Sequence, residues 1–84
     1  MPTSHFYYVY ILRDVATGQH HYTGVTQNLN ERLARHNSGK VPHTAAFAPW
    51  FIETAITFRD KSKAYAYEHY LKSGAGRAYA KKHF

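Results

Sequence analysis

Residues 8–36 run YVYILRDVATGQHHYTGVTQNLNERLARH: a strand, a turn, a second strand and a helix in one unbroken series. Phe6 to Arg13 is dense in β-branched and aromatic residues, the composition of a strand. A period of two puts Tyr8, Tyr10 and Leu12 on one face and Tyr7, Val9 and Ile11 on the other. Both faces are apolar or amphipathic, so this strand is expected at the centre of the sheet, covered on both sides. Asp14 to Gln19 supplies the turn, with Gly18 free to adopt positive φ. His20 to Thr26 then returns as the second arm of a hairpin. Gly24 inside that arm marks a bulge or a close approach, here by a helix or a ligand backbone.

The helix that follows is announced by Asn28 as N-cap, with Glu31 three residues on as its capping-box partner. Leu29 and Leu33 form its apolar side, and Arg32 and His36 stand one turn apart. Asn37-Ser38-Gly39 ends it, Gly39 taking the left-handed position. Lys40 to Pro49 reads as a surface loop, because Val41-Pro42 and Ala48-Pro49 restrict the backbone. In that loop Lys40, His43 and Thr44 either meet a phosphate or are simply solvated.

Trp50 to Phe58 is the third strand, with Ile52, Thr54, Ile56 and Phe58 on one face and Phe51, Glu53, Ala55 and Thr57 on the other. Asp60 caps the next helix, on which Ala64, Glu68 and Leu71 share a stripe. A carboxylate on an apolar stripe needs a partner. For Glu68 the candidates are Arg32, a metal ion, or a salt bridge to Lys72 or Arg77. Ser73-Gly74-Ala75-Gly76 is expected to break the helix, leaving Arg77 to His83 as a short basic final helix with Ala78 towards the core. The fold class expected is α+β: a small three-stranded antiparallel sheet flanked by helices, forming one domain over residues 1–84.

Composition narrows the function. There is no cysteine, which excludes disulfides, thiolate metal sites and a cysteine nucleophile. No apolar run approaches the roughly 18 residues of a spanning helix, and the N-terminus has no signal-peptide core; a cytoplasmic protein without a membrane partner is expected. Residues 1–60 carry five Lys/Arg against four acids, whereas residues 61–84 carry six against Glu68 alone. A basic end of this kind either favours a polyanionic partner or keeps a small protein soluble. Lys40, His43, Lys72, Arg77, Lys81 and Lys82 are the candidate nucleic-acid contacts.

Taken together, these residues resemble the GIY-YIG nuclease superfamily, specifically the small single-domain group related to the nuclease module of the excinuclease C subunit. The first family tripeptide is matched by Tyr8-Val9-Tyr10 and the second by Tyr22-Thr23-Gly24. The segment from Leu29 to Lys40, and later Lys63 to Glu68 followed by Leu71-Lys72-Ser73-Gly74, continue the likeness over nearly the whole chain. Tyr8 stands where the name-giving glycine would be, Thr23 replaces isoleucine, and no asparagine follows Asn37, where larger members place one after the glutamate.

The resemblance implies an endonuclease, with a part in DNA repair, whose catalytic set is Tyr10, Tyr22, Arg32, His36 and Glu68. Arg32 would contact the scissile phosphate, and Glu68 would hold one divalent cation, Mg²⁺ or Mn²⁺. The tyrosines and histidine would orient or activate the attacking water. The chemistry is coherent: a guanidinium fork suits two phosphate oxygens, and one carboxylate can hold Mg²⁺ whose other ligands are water and phosphate. A tyrosine titrates near 10, so a phenolate base would need Arg32 or the cation to lower that value; His36 could instead take the proton. Expected partners are DNA, including branched or damaged DNA, with RNA, a homodimer and a targeting partner left open. Two other classes compete: a nucleic-acid-binding module without efficient hydrolysis, and a purely structural set in which Arg32 and Glu68 form a buried ion pair.

Overall fold

The computed structural model describes residues 6–84; Met1 to His5 of the expected domain lie outside the described residues. The elements run β1 (Tyr7–Asp14), β2 (His21–Thr26), α1 (Leu29–Asn37), α2 (Pro42–Ala45), β3 (Trp50–Phe58), α3 (Lys61–Leu71) and α4 (Gly74–His83). The sheet is antiparallel in the order β2-β1-β3, so the strand with two apolar faces is central, as its pattern requires. One face packs Val9 and Ile11 against Ala64 and Leu71 of α3, with Val25, Phe58, Tyr67 and Ala80 around them. The other packs Tyr10, Leu12 and Trp50 with Tyr22, Leu29, Leu33 and Ile52. No helix among the described residues is long and apolar enough to cross a membrane.

Three expectations are corrected. In β3 the pairing slips: Ile11 faces Thr54, but Leu12 faces Ile52, leaving Glu53 as an extra residue. A bulge of this kind reverses the alternation. Ile52 therefore leaves the face of Ile56 and Phe58 and joins Trp50 and Leu12. Glu53 turns to Arg13, whose Nε donates to Oε2 at 2.8 Å.

The second correction lies in the segment 40–49, which is not all loop. The Val41 carbonyl accepts from Thr44 N (3.1 Å) and Ala45 N (2.9 Å), closing the turn of α2 with Pro42 at its start. The third is the start of the final helix: α3 does end before Ser73, at Leu71, but α4 begins at Gly74 and not at Arg77. Ser73 caps α4 by accepting from Gly76 N at 3.1 Å. A Cβ on Gly76 would stand 1.8 Å from the Tyr70 carbonyl oxygen, so the missing side chain lets α4 cross the end of α3. Starting the helix early also changes its phase, and Ala80 instead of Ala78 faces the core.

Candidate active site

Tyr10 projects from the centre of β1 towards α1, opposite Gly24 of β2. A Cβ at position 24 would lie 2.5 Å from the Tyr10 hydroxyl oxygen, so the glycine clears space for the phenol. The close approach foreseen at Gly24 is thus made by a side chain of the sheet itself, not by a helix or ligand backbone. The Tyr10 hydroxyl meets His36 Nε2 at 2.9 Å, and His36 Nδ1 meets Thr44 Oγ1 at 2.9 Å. Tyr10, His36 and Thr44 are each 1 % exposed or less. Tyr22 completes the cluster, its ring centroid 4.8 Å from that of His36 and 6.3 Å from that of Tyr10.

Arg32 lies one turn before His36 on α1, and its Nε is buried with no hydrogen-bond partner among the described residues. A buried donor left unmatched costs about 1–3 kcal/mol, which an anion placed there would recover. Burial pushes the Tyr10 hydroxyl up to about 12, with the Arg32 guanidinium beside it pulling the other way. Arg32 acts on this phenol in the expected, lowering direction, but desolvation exceeds the guanidinium's effect. His36 is shifted downward by burial first and then by Arg32 and Arg35, so it is neutral at pH 7. The geometry thus supplies a neutral imidazole bonded to a protonated phenol.

Glu68 lies on α3, its side chain 15 % exposed, and its Oε2 pairs with Lys72 Nζ at 2.5 Å. Of the partners open to it from the sequence, Lys72 is the one it takes; no Arg32–Glu68 ion pair occurs among the described residues. Lys72 Nζ also lies 5.8 Å from the Tyr22 ring centroid, which sets the pair beside the tyrosine cluster. The negative charge of Glu68 is felt at Tyr10. No group of three or more His, Asp or Glu that could cage a metal occurs among the described residues. The donor chemistry nevertheless fits a hard cation taking one carboxylate oxygen, because Mg²⁺ keeps water and phosphate as its other ligands.

Beyond Tyr22 a cleft of ≈ 880 Å³ opens, walled in part by His43, Lys72, Arg77 and Lys81. It gathers four of the six basic candidates, whereas Lys40 and Lys82 lie outside its walls. Arg32, His36 and Glu68 do not line it; Tyr22 and Lys72 are where it touches the cluster. Gly39 takes φ 81° at the end of α1, as its position implied.

Thr44 had been read as a solvent or phosphate residue, yet it is buried and faces His36. Pro42, suited to the first position of a helix, was the available signal that Thr44 sits on a turn and not on an open loop.

The GIY-YIG catalytic domain matches over residues 6–82, almost the whole chain. The chain is 37% identical over 70 residues to a UPF0213 protein of Bacillus licheniformis, covering 82% of this chain and 68% of the relative. It is 39% identical over 67 residues to a UPF0213 protein of Oceanobacillus iheyensis, covering 79% and 76%. With the matched region spanning sheet, helices and the tyrosine–histidine–arginine cluster alike, the chain belongs to the GIY-YIG family.

Proposed function

We propose that the protein is a divalent-metal-dependent endonuclease that hydrolyses nucleic-acid phosphodiesters, DNA being the substrate class favoured. The observation that carries this reading is the buried, unpartnered Arg32 Nε beside the 2.9 Å Tyr10–His36 bond: an anion donor next to a proton acceptor. Arg32 binds the phosphate and fills its own missing bond. Tyr22, at the mouth of the cleft, and Tyr10 flank that position. As water attacks phosphorus and the bond to the leaving oxygen breaks, the Tyr10 oxygen takes the water's proton and passes its own to His36 Nε2, while the leaving alkoxide takes a proton from solvent water. Glu68 would hold Mg²⁺ or Mn²⁺, which when bound neutralises phosphate charge. Lys72, Arg77 and Lys81 supply salt-sensitive contacts to the flanking backbone.

The test is cleavage of supercoiled plasmid and of a branched duplex with Mg²⁺, Mn²⁺ or chelator, wild type beside Arg32→Ala. Turnover should fall about 10²-fold or more in the variant, within the range for lost charge-stabilising donors, while non-specific DNA affinity is largely kept. An equal loss of both would leave Arg32 as a plain anchor. Because His36 must be neutral to accept a proton and its titration is shifted downward, the acid limb of the wild-type rate should fall below pH 6.5. The competing reading is a binding module, favoured by the Lys72 ammonium already occupying Glu68. It requires salt-sensitive DNA binding with no cleavage in either metal.

A further inference from the structure

We propose that Thr44 is a positioning residue that fixes the tautomer of His36, leaving Nε2 bare towards Tyr10. The proton count at Thr44 leads there. A hydroxyl has one proton, and Thr44 Oγ1 has two neighbours, His36 Nδ1 at 2.9 Å and the Val41 carbonyl at 3.4 Å.

If Thr44 donates to Val41, then Nδ1–H donates to Thr44 and the Tyr10 hydroxyl donates to Nε2. Every proton then has an acceptor, and the Tyr10 oxygen stays open to the Arg32 guanidinium beside it. In the opposite tautomer Thr44 donates to Nδ1 and Nε2–H donates to Tyr10. The phenol proton then has no acceptor among the described residues, in a site where Tyr10 is 1 % exposed. An unmatched buried hydroxyl is the more costly arrangement, so the first tautomer wins.

The surroundings hold Thr44 rigidly in place for this task. A helix of four residues has no stability of its own, so α2 persists through its tertiary bonds. The Thr44 carbonyl accepts from Trp50 Nε1 at 2.9 Å. Trp50 is in turn clamped by Asn37, which accepts from its N at 2.6 Å and donates to its carbonyl at 3.0 Å. The ring of His36 is thus oriented from its far nitrogen, in the way that an outer partner sets the tautomer of a functional histidine. When Nε2 takes the Tyr10 proton, Thr44 is the acceptor already facing the other N–H of the imidazolium.

The consequence for turnover rests on the nuclease reading; the tautomer does not, and the experiment separates them. Two-bond ¹H–¹⁵N NMR of histidine-labelled protein at neutral pH should show His36 protonated at Nδ1 and bare at Nε2. Thr44→Val, which keeps the shape and removes the hydroxyl, should shift His36 to Nε2–H or to a mixture. It should slow cleavage about tenfold or more, the scale of a lost outer partner, and Thr44→Ser should restore both signal and rate. A wild-type protein protonated at Nε2 overturns the proposal, and so does an unchanged tautomer in Thr44→Val. If Thr44→Val does not fold, the wild-type and Thr44→Ser spectra still decide, since both must show Nδ1–H. Absence of cleavage in the wild type would instead defeat the nuclease reading and leave the spectroscopic result standing.

Discussion

The two faces of one strand are built on opposite principles. Val9 and Ile11 look towards α3 and α4 into a core of aliphatic and small residues, where Ala64 and Leu71 are nearly fully buried. Tyr10, one position between them, looks towards α1 and α2 into a core holding a histidine, a threonine and the unpartnered Nε of Arg32. The first face is apolar inside, and Ile11, Leu71 and Ala80 at its edge wall the basic cleft. The second tolerates polar burial that a core made only for stability would replace with hydrocarbon. Asp14 shows that polarity alone is not the distinction. It is 2 % exposed, yet it accepts from Thr17 N, Thr17 Oγ1 and His20 N, closing the turn before β2. Its partners are complete, whereas Arg32 Nε has none among the described residues.

The largest effect should come from the plain face. Gly76→Ala forces a Cβ to 1.8 Å from the Tyr70 carbonyl oxygen, a backbone atom that cannot rotate away. The loss should be about 3 kcal/mol, at the top of the usual overpacking range, and urea unfolding would read it. A variant as stable as wild type would mean that α4 does not cross α3 this closely.

Next is Gly24→Ala on the polar face, whose Cβ would meet the Tyr10 hydroxyl oxygen at 2.5 Å. It should cost about 1–2 kcal/mol and, by displacing the phenol from His36, lower cleavage per folded molecule. Loss of stability with full specific activity would make that face no different from the other.

Asp14→Asn probes the complete polar account, and its signature is pH. Burial alone would raise the Asp14 carboxyl, but the hydrogen bonds from His20 and Thr17 outweigh it and hold it well below its usual 3.8. A depressed folded value contributes stability that is full above the unfolded value and lost as pH falls through the folded one. Wild type should therefore lose stability on acidification below about pH 4, and Asp14→Asn should show a shallower acid limb. Parallel limbs would contradict the partner assignment.

Much of this was legible in the chain. The alternation of Tyr8–Leu12, the cap at Asn28, the left-handed Gly39 and the cap at Asp60 each rest on a local rule, and the structure places them accordingly. β3 has the expected ends because Pro49 and Asp60 lie just outside them. What was not legible depends on distant contacts. The bulge at Glu53 follows from its pairing with Arg13, forty residues away, and no period within β3 announces it. Gly76 reads as a breaker until Tyr70 is seen beneath it. Tyr10, Tyr22, Arg32 and His36, which the family resemblance implies, do converge, but the upward shift of Tyr10 comes from burial that only the packed cluster reveals. Thr44 escaped because α2 is a single turn held by Trp50 and His36, too short for any periodic signal.

The most direct test of the site is metal-dependent cleavage by wild type beside Glu68→Gln, with a melt of each protein. Among the described residues Glu68 pairs with a lysine whose side chain is 48 % exposed, and such pairs contribute about 0.2–1 kcal/mol, so the variant should stay folded. The account predicts cleavage in Mg²⁺ or Mn²⁺ by wild type, none with chelator, and none by the folded variant in either metal. Equal cleavage by both proteins would contradict it, because the Glu68 carboxylate would then hold no catalytic cation.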